Sequence, residues 1–217
     1  MTRALVFAAS VLALSGCATD PVTGQPIFGN TARGAAIGAI AGGVGGIFAG
    51  GNDTRNVAVG AAVGALAGGA IGRYMDQQEA DMRKAVANTG IGVQRVGNNI
   101  ELVMPSDVTF AKDSDVLQSQ FTPVLSQVAK SLNLYPKTTI DIIGHASTEG
   151  EAQHNLNLSY RRAESVRAYL QGQGVLGQRM ATGGLGESQP LISPERSEAD
   201  RAVNRRVQVV LRPVVQS

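Results

Sequence analysis

Residues 138–163 read TTIDIIGHASTEGEAQHNLNLSYRRA, and this stretch contains a strand, a loop and a helix in immediate succession. Residues 138–144 are rich in β-branched and apolar side chains, which is typical of a buried strand. Residues 156–170 repeat apolar side chains at helical spacing. The glycine-bounded loop at residues 144–150 is therefore expected to join a buried strand to an amphipathic helix.

The flanking segments add three more strands and one more helix. Residues 93–96 and 100–104 are short β-type runs around Gly97-Asn98-Asn99, which indicates a hairpin. Residues 122–134 have helical periodicity with a proline at a tolerated early position, and residues 207–211 form a last strand. The order β-β-α-β-α-β predicts an α+β fold, a two-layer sandwich with helices on one face of a mixed sheet.

Four motifs of this half occur in a fixed order. They are G-H at 144–145 with a glycine at 150, N-x-x-L-S-x-x-R-A at 155–163, G-x-G at 184–186 and N-R-R-V at 204–207. Together they resemble the OmpA-like C-terminal domain, and the resemblance extends over roughly residues 91–213. It implies a domain at residues 91–217 that binds peptidoglycan in the periplasm.

The resemblance also implies a ligand and the residues that bind it. Members of this family bind the diaminopimelate of uncrosslinked peptidoglycan stems, whose end carries an ammonium and a carboxylate on one carbon. By motif position Arg162 binds the carboxylate, a task that suits a bidentate guanidinium, and Asn155 supports it. The N-R-R segment places Arg205 or Arg206 nearby. The expected binding residues are Arg162, Asn155, Ser147, Arg206 and Thr109.

The sequence departs from the family pattern at one position of the site. Where the family has G-H-T-D-x-x-G, this chain reads G-H-A-S-T-E-G, so Ser147 replaces the acid. A hydroxyl brings no charge, and losing a charge-assisted bond costs on the order of 1–3 kcal/mol, or about 5- to 150-fold in affinity. Glu149 either compensates or is a solvated loop residue, and Ala111 follows Phe110 where the family often has Asp. The domain then binds the wall weakly, binds a differently amidated stem, or contacts a protein partner.

The N-terminus has the pattern of an export signal. Residues 1–16 are predicted to be a signal peptide, because their apolar run is too short to span a bilayer. It ends in L-S-G-C at 14–17, which resembles a bacterial lipobox with lipid attached to Cys17. The alternative is an ordinary signal peptide followed by a free cysteine. Ala18 stands where an Asp tends to mark inner-membrane retention, so we expect the outer membrane, with residues 17–31 as a tether.

A glycine-rich segment follows the tether. Two uncharged stretches, 34–52 and 56–72, have glycines four residues apart, which places them on one face of a helix. Each helix would be about 25–29 Å long, near the hydrocarbon thickness of a bilayer, and small residues favour close helix contact in lipid. With the following Y-M-D-x-Q-E at 74–79, the pattern resembles a glycine zipper of the YiaD type of lipoprotein. We expect a membrane-associated, self-associating segment at 32–74, or else a flexible linker, and then a polar helical spacer at 75–90.

Composition and motifs argue against other classes of function. The net charge is +2, with no basic excess of the kind that nucleic-acid binding needs. The single cysteine excludes an internal disulfide and a cysteine-based zinc cage. Ser147 lies near His145 and His154 in sequence, but proximity in sequence does not make a catalytic triad, and no phosphate loop occurs. We expect no enzyme, no metal and no cofactor.

The expected function is that of a lipid-anchored outer-membrane protein that binds peptidoglycan non-covalently and links the membrane to the cell wall. Its expected partners are peptidoglycan, membrane lipid and further copies of itself. The alternative is a membrane-structural, oligomerising lipoprotein whose OmpA-like domain has lost strong wall binding and contacts a protein partner.

Overall fold

The computed structural model describes Leu66, residues 70–111 and residues 113–215. Its elements follow the order α1 (Ala70–Ala85), β1 (Gly92–Val96), β2 (Asn99–Pro105), α2 (Ser106–Thr109), α3 (Thr122–Leu134), β3 (Thr138–His145), α4 (Ala152–Gly172), a 3-10 turn (Gly177–Arg179), β4 (Met180–Gly184), α5 (Glu198–Asn204) and β5 (Arg206–Pro213). The predicted helix at 122–134 has these same bounds, and the predicted strands and second helix are each found with slightly longer bounds.

The strands form one mixed sheet in the order β1-β2-β5-β3-β4. β3 pairs with β4 in parallel, and the other neighbours are antiparallel. β5 thus lies between β2 and β3, which joins the first hairpin to the strand that leads into the motif loop. The predicted α+β fold with a mixed sheet is confirmed.

The two faces of the sheet differ in chemistry because side chains alternate along each strand. On β5, Val207, Val209 and Leu211 point to the side of α1, α3 and α4 and belong to the main apolar core. On the other face Gln208 donates to Glu101, and Arg212 forms an ion pair with Asp141. The long helices therefore cover one apolar face, and the other, more polar face combines this network with a few buried apolar side chains.

The chain between β4 and β5 covers part of this polar face. Leu191 packs against Val103, and Leu185 packs against Ile143 and Val210. The segment ends in the short helix α5, whose Val203 joins the same contacts. One helix therefore lies on the face opposite the three long ones, a difference from the predicted arrangement.

Helix α1 packs into the domain, in contrast to the predicted spacer at 75–90. Met75 and Met82 are fully buried in the main core. The Tyr74 hydroxyl accepts a hydrogen bond from the Lys137 backbone N–H at 2.8 Å, and the Tyr135 hydroxyl donates to Asp81 at 2.6 Å. The Y-M-D-x-Q-E signature therefore lies in a helix that is attached to the end of α3 and the start of β3.

Besides the single turn of α2, a strand and a helix were missing from the sequence-based order. β4 reads MATGG, and its two glycines and lack of an apolar run concealed an edge strand. α5 is a seven-residue helix capped by Ser197, whose side chain accepts from the Asp200 N–H, and it is too short to show periodicity. Both are held by tertiary contacts, which a local pattern does not reveal.

Several predictions lie outside the described residues. They are the signal peptide at 1–16, the lipid attachment at Cys17, the tether at 17–31 and all of the zipper at 32–74 except Leu66 and the residues from Ala70 on. Within the described part of the chain, no helix has the length and hydropathy needed to cross a membrane.

Candidate functional site

Two glycines set helix α4 directly on the sheet next to the motif loop. A Cβ at Gly144 would lie 1.9 Å from the Ser159 carbonyl oxygen, and a Cβ at Gly184 would lie 2.5 Å from the Tyr160 backbone nitrogen. Only glycine permits such close contact between a helix backbone and two parallel strands. The result is that the first three turns of α4 lie beside the carboxyl end of β3.

A pocket of about 670 Å³ opens at this end of the sheet. Its wall is formed by α2, the loop after it, the 146–150 loop, α4 and the chain around α5. The charged groups that line it are Asp107, Asp113, Glu149, Arg162, Glu198 and Arg205. The pocket therefore offers both signs of charge to a ligand.

Arg162 is the most buried cation of the pocket, with 5% of its surface exposed. Its Nε donates to the Ser114 carbonyl oxygen at 2.9 Å, and its guanidinium carbon lies 5.3 Å from the centre of the Phe110 ring. Among the described residues, neither Nη nitrogen donates to a protein acceptor and no carboxylate lies within 4.0 Å. The end of the guanidinium is therefore free to bind a ligand.

Burial lowers the pKa of Arg162, and the charges of Asp113 and Asp107 partly oppose this effect. An arginine nevertheless stays protonated at neutral pH. A cation with little water around it and no bound carboxylate gains more from an anionic ligand than an exposed cation does, because the interaction is less screened. The site is thus suited to a carboxylate.

Asn155 fixes the shape of the motif loop. Its Nδ2 donates to the Ser147 carbonyl at 3.2 Å, to the Glu149 carbonyl at 3.0 Å and to Glu187 Oε2 at 2.9 Å. The two N–H groups of this amide are shared among three acceptors, so Asn155 holds the motif loop in place. Its side chain also lines the pocket.

Ser147 lies in the pocket wall with 3% of its surface exposed. The next residue, Thr148, donates both its N–H and its hydroxyl to Glu195. The loop is therefore held from two sides, by Asn155 and by the chain before α5. Ser147 presents a hydroxyl without charge where the family pattern has an acid.

The other two predicted residues lie outside the pocket lining. Thr109 is fully buried and donates to the Pro105 carbonyl at 2.7 Å, within the single turn of α2. Arg206 is 1% exposed and donates to the carbonyls of Asn204 and Gln189. Arg206 pairs with His145 in the sheet and is directed to the face opposite the long helices, whereas its neighbour Arg205 lines the pocket.

Arg205 is already bound by two carboxylates. Its Nη2 lies 3.0 Å from Asp107 Oδ2 and 2.5 Å from Glu198 Oε1. The hydrogen bond with Asp107 raises the pKa of Arg205 most, and that with Glu198 adds to it. Arg205 therefore links α2 to α5 across the pocket wall, and its charge is compensated.

The sequence did not indicate Asp107, Asp113 or Glu198 as site residues. Asp107 and Asp113 belong to the segment between β2 and α3, and Glu198 belongs to α5, about 90 residues later in the chain. None lies in a recognisable motif, so only the fold brings them to Arg162.

Among the described residues, His145 and Ser147 are not hydrogen-bonded to each other. Both ring nitrogens of His145 are buried without a hydrogen-bond partner, so His145 does not activate Ser147. No cluster of three or more histidine, cysteine or acidic side chains in this part of the chain is arranged to hold a metal ion.

Comparison with known proteins agrees with this geometry. The OmpA family model matches residues 109–205, and the YMGG-like Gly-zipper model matches residues 1–76. The chain is 41% identical over 205 residues to Probable lipoprotein YiaD of Escherichia coli K12, covering 94% of this chain and 93% of that protein. The chain belongs to the OmpA family, as a lipoprotein of the YiaD type.

Two further relatives of the family carry informative names. The peptidoglycan-binding protein ArfA of Mycobacterium tuberculosis H37Rv is 35% identical over 112 residues, which is 52% of this chain and 34% of ArfA. The structure of the cell wall anchor of the T6SS from Pseudomonas aeruginosa is 26% identical, with a TM-score of 0.54, and covers 64% of this chain and 96% of that one. The OmpA-like fold of the C-terminal half is thereby established.

Proposed function

We propose that this protein binds peptidoglycan non-covalently through the pocket around Arg162. The ligand is the diaminopimelate end of an uncrosslinked stem peptide, and its carboxylate binds the two Nη nitrogens. The observation that carries the proposal is Arg162 itself, a 5% exposed cation in a pocket of about 670 Å³. The names of the ArfA and cell-wall-anchor relatives, and the match to the OmpA family, support it.

The protein links the outer membrane to the cell wall. Lipid attached to Cys17 anchors the chain in the outer membrane, and the OmpA-like domain lies in the periplasm. The lipobox-like residues 14–17 and the near full-length similarity to a lipoprotein support this topology. Several acyl chains on one cysteine make such an anchor stable.

The zipper adds a second membrane-associated element. Its four-residue glycine spacing and the YMGG-like Gly-zipper match support helix contacts between copies of the chain in lipid. Because α1 begins at Ala70 and packs into the main core, the folded domain begins where the zipper ends.

The test is cosedimentation of the full chain, in detergent micelles, with purified peptidoglycan sacculi. Arg162→Ala and Arg162→Lys are compared with Arg161→Ala. Arg161 is the adjacent residue, is half-exposed, pairs with Asp115 and does not line the pocket. Each Ala variant removes one positive charge, so the pair separates a specific site from general attraction.

We expect Arg162→Lys to weaken pelleting by about tenfold or more, because an ammonium cannot bind a carboxylate in bidentate fashion. Arg162→Ala should weaken it at least as much, and Arg161→Ala should pellet like the unchanged protein. Ser147→Asp, which restores the family acid, should strengthen pelleting. If the native chain does not pellet and Ser147→Asp does not restore pelleting, wall binding is the wrong function.

A further inference from the structure

Four acidic side chains line the pocket, and arginines at its rim hold three of them. Arg205 lies 3.0 Å from Asp107 and 2.5 Å from Glu198. Arg201 lies 3.5 Å from Glu149 and 2.8 Å from Glu198. These three carboxylates are therefore engaged in the ion pairs that join α2, the motif loop and α5.

Asp113 is the fourth acid, and its situation is different. In the described part of the chain, no cation lies within 4.0 Å of its carboxylate. It is exposed to solvent at the pocket wall, and it directly precedes Ser114, whose carbonyl accepts the hydrogen bond from Arg162 Nε. Of the carboxylates around Arg162, Asp113 has the largest electrostatic effect on it.

The proposed ligand needs an anionic acceptor in this position. Its ammonium and carboxylate share one carbon, so an acceptor for the ammonium must lie close to the group that binds the carboxylate. Ser147 supplies only a hydroxyl, and a hydrogen bond to an ionised acceptor is roughly twice as strong as a neutral one. Asp113 meets this need, because it lines the same pocket as Arg162 and no cation of the described residues pairs with it.

We infer that Asp113 accepts the ammonium of the bound diaminopimelate end, so that the loop after α2 supplies the charge that an acid at position 147 would otherwise supply. Asp113 and Arg162 then form a complementary pair for a zwitterion, the acid for the amine and the guanidinium for the carboxylate. This inference rests on the proposed function and names the residue that selects for a free amine.

The experiment uses two soluble probes and the full chain in detergent micelles. One probe is a stem tripeptide that ends in diaminopimelate with its terminal amine free, and the other is the same peptide with that amine acetylated. Binding is measured for the unchanged protein, Asp113→Asn, Arg162→Lys and Asp115→Asn. Asp115 is the matched control, since it is an acid of the same loop that pairs with Arg161 and does not line the pocket.

We expect Asp113→Asn to weaken binding of the free-amine probe by about 5- to 100-fold and to leave binding of the acetylated probe unchanged. Asparagine has nearly the same shape and tolerates the positive φ of 49° at this position, so the loop is preserved. Asp115→Asn should stay within about twofold. Adding Ser147→Asp to Asp113→Asn should restore binding of the free-amine probe.

Other outcomes separate the two proposals. If Arg162→Lys loses the free-amine probe while Asp113→Asn binds it like the unchanged protein, the inference about Asp113 is overturned and the proposed function stands. If Asp113→Asn weakens both probes equally, Asp113 acts on the pocket rather than on the amine, and the inference is again overturned. If the unchanged protein binds neither probe, the proposed function is wrong and the inference with it.

Discussion

Replacing Met82 by alanine tests whether helix α1 belongs to the folded domain. Met82 is fully buried, with Met75, on the face of α1 that packs into the main core, and Val86 just after the helix is buried in the same core. A buried Met→Ala change costs about 2–5 kcal/mol, through lost burial and the cavity that remains. For a domain of this size, that corresponds to a melting temperature lower by on the order of 4–20 °C.

The assay is urea and thermal unfolding of the full chain in detergent micelles. The signal is the near-ultraviolet circular dichroism of tyrosine, because the chain has no tryptophan and the rings of Tyr74 and Tyr135 lie edge to face with centroids 5.4 Å apart. Gln77→Ala, on the exposed side of the same helix, is the matched control and should change the free energy of unfolding by less than about 0.5 kcal/mol.

If Met82→Ala unfolds like the unchanged protein, this reasoning is wrong, and α1 does not contribute to the stability of the domain. Equal losses in Met82→Ala and Gln77→Ala would contradict it as well. If the expected loss is found, a fragment that begins near residue 90 lacks part of its core. Wall-binding measurements on such a fragment would then underestimate the affinity of the intact chain.

Two further predictions concern stability. Burial, followed by the charge of Arg206, holds the pKa of His145 well below 6.5. Below pH 6.5 the histidine is therefore protonated in the unfolded chain and neutral in the folded one. The free energy of unfolding should consequently fall by up to about 1.4 kcal/mol for each pH unit below 6.5. His145→Phe should remove that slope in urea titrations at pH 5 to 7, and exposed His154→Phe should retain it. Gly144→Ala should lower the free energy of unfolding in urea by about 3 kcal/mol or more, because the new Cβ would meet the backbone of Ser159. Gly172→Ala, where the new Cβ has open space, should leave it unchanged or raise it. Equal effects of the two substitutions would contradict the close approach of α4 to the sheet.

The sequence predicts the structure well where a strand, a loop and a helix follow one another directly in the chain. The 138–163 stretch folds as β3, the motif loop and α4, and it places Ser147, Asn155 and Arg162 in one pocket wall. Here the helical and strand periodicities and the glycine positions all act within about 25 residues, so pattern and structure agree.

The sequence does not predict which residues reach the site or the core when they come from segments distant in the chain. It left Arg205 and Arg206 as alternatives, and only the register of β5 against β3 directs Arg206 to the opposite face. Asp113 belongs to a loop without periodicity, and only the folded structure shows that this loop lines the pocket and accepts a hydrogen bond from Arg162 at Ser114. Helix α1 looked polar in composition, yet a few apolar side chains on one face are enough to attach it.

The most direct test of the account is sacculus cosedimentation of three forms of the full chain prepared side by side: unchanged, Arg162→Lys and Arg161→Lys. Both variants keep the net charge and differ only in which guanidinium is lost. We expect Arg161→Lys to pellet like the unchanged protein and Arg162→Lys to pellet about tenfold more weakly or not at all. Equal pelleting of all three would contradict the claim that the buried Arg162 is the wall-binding residue.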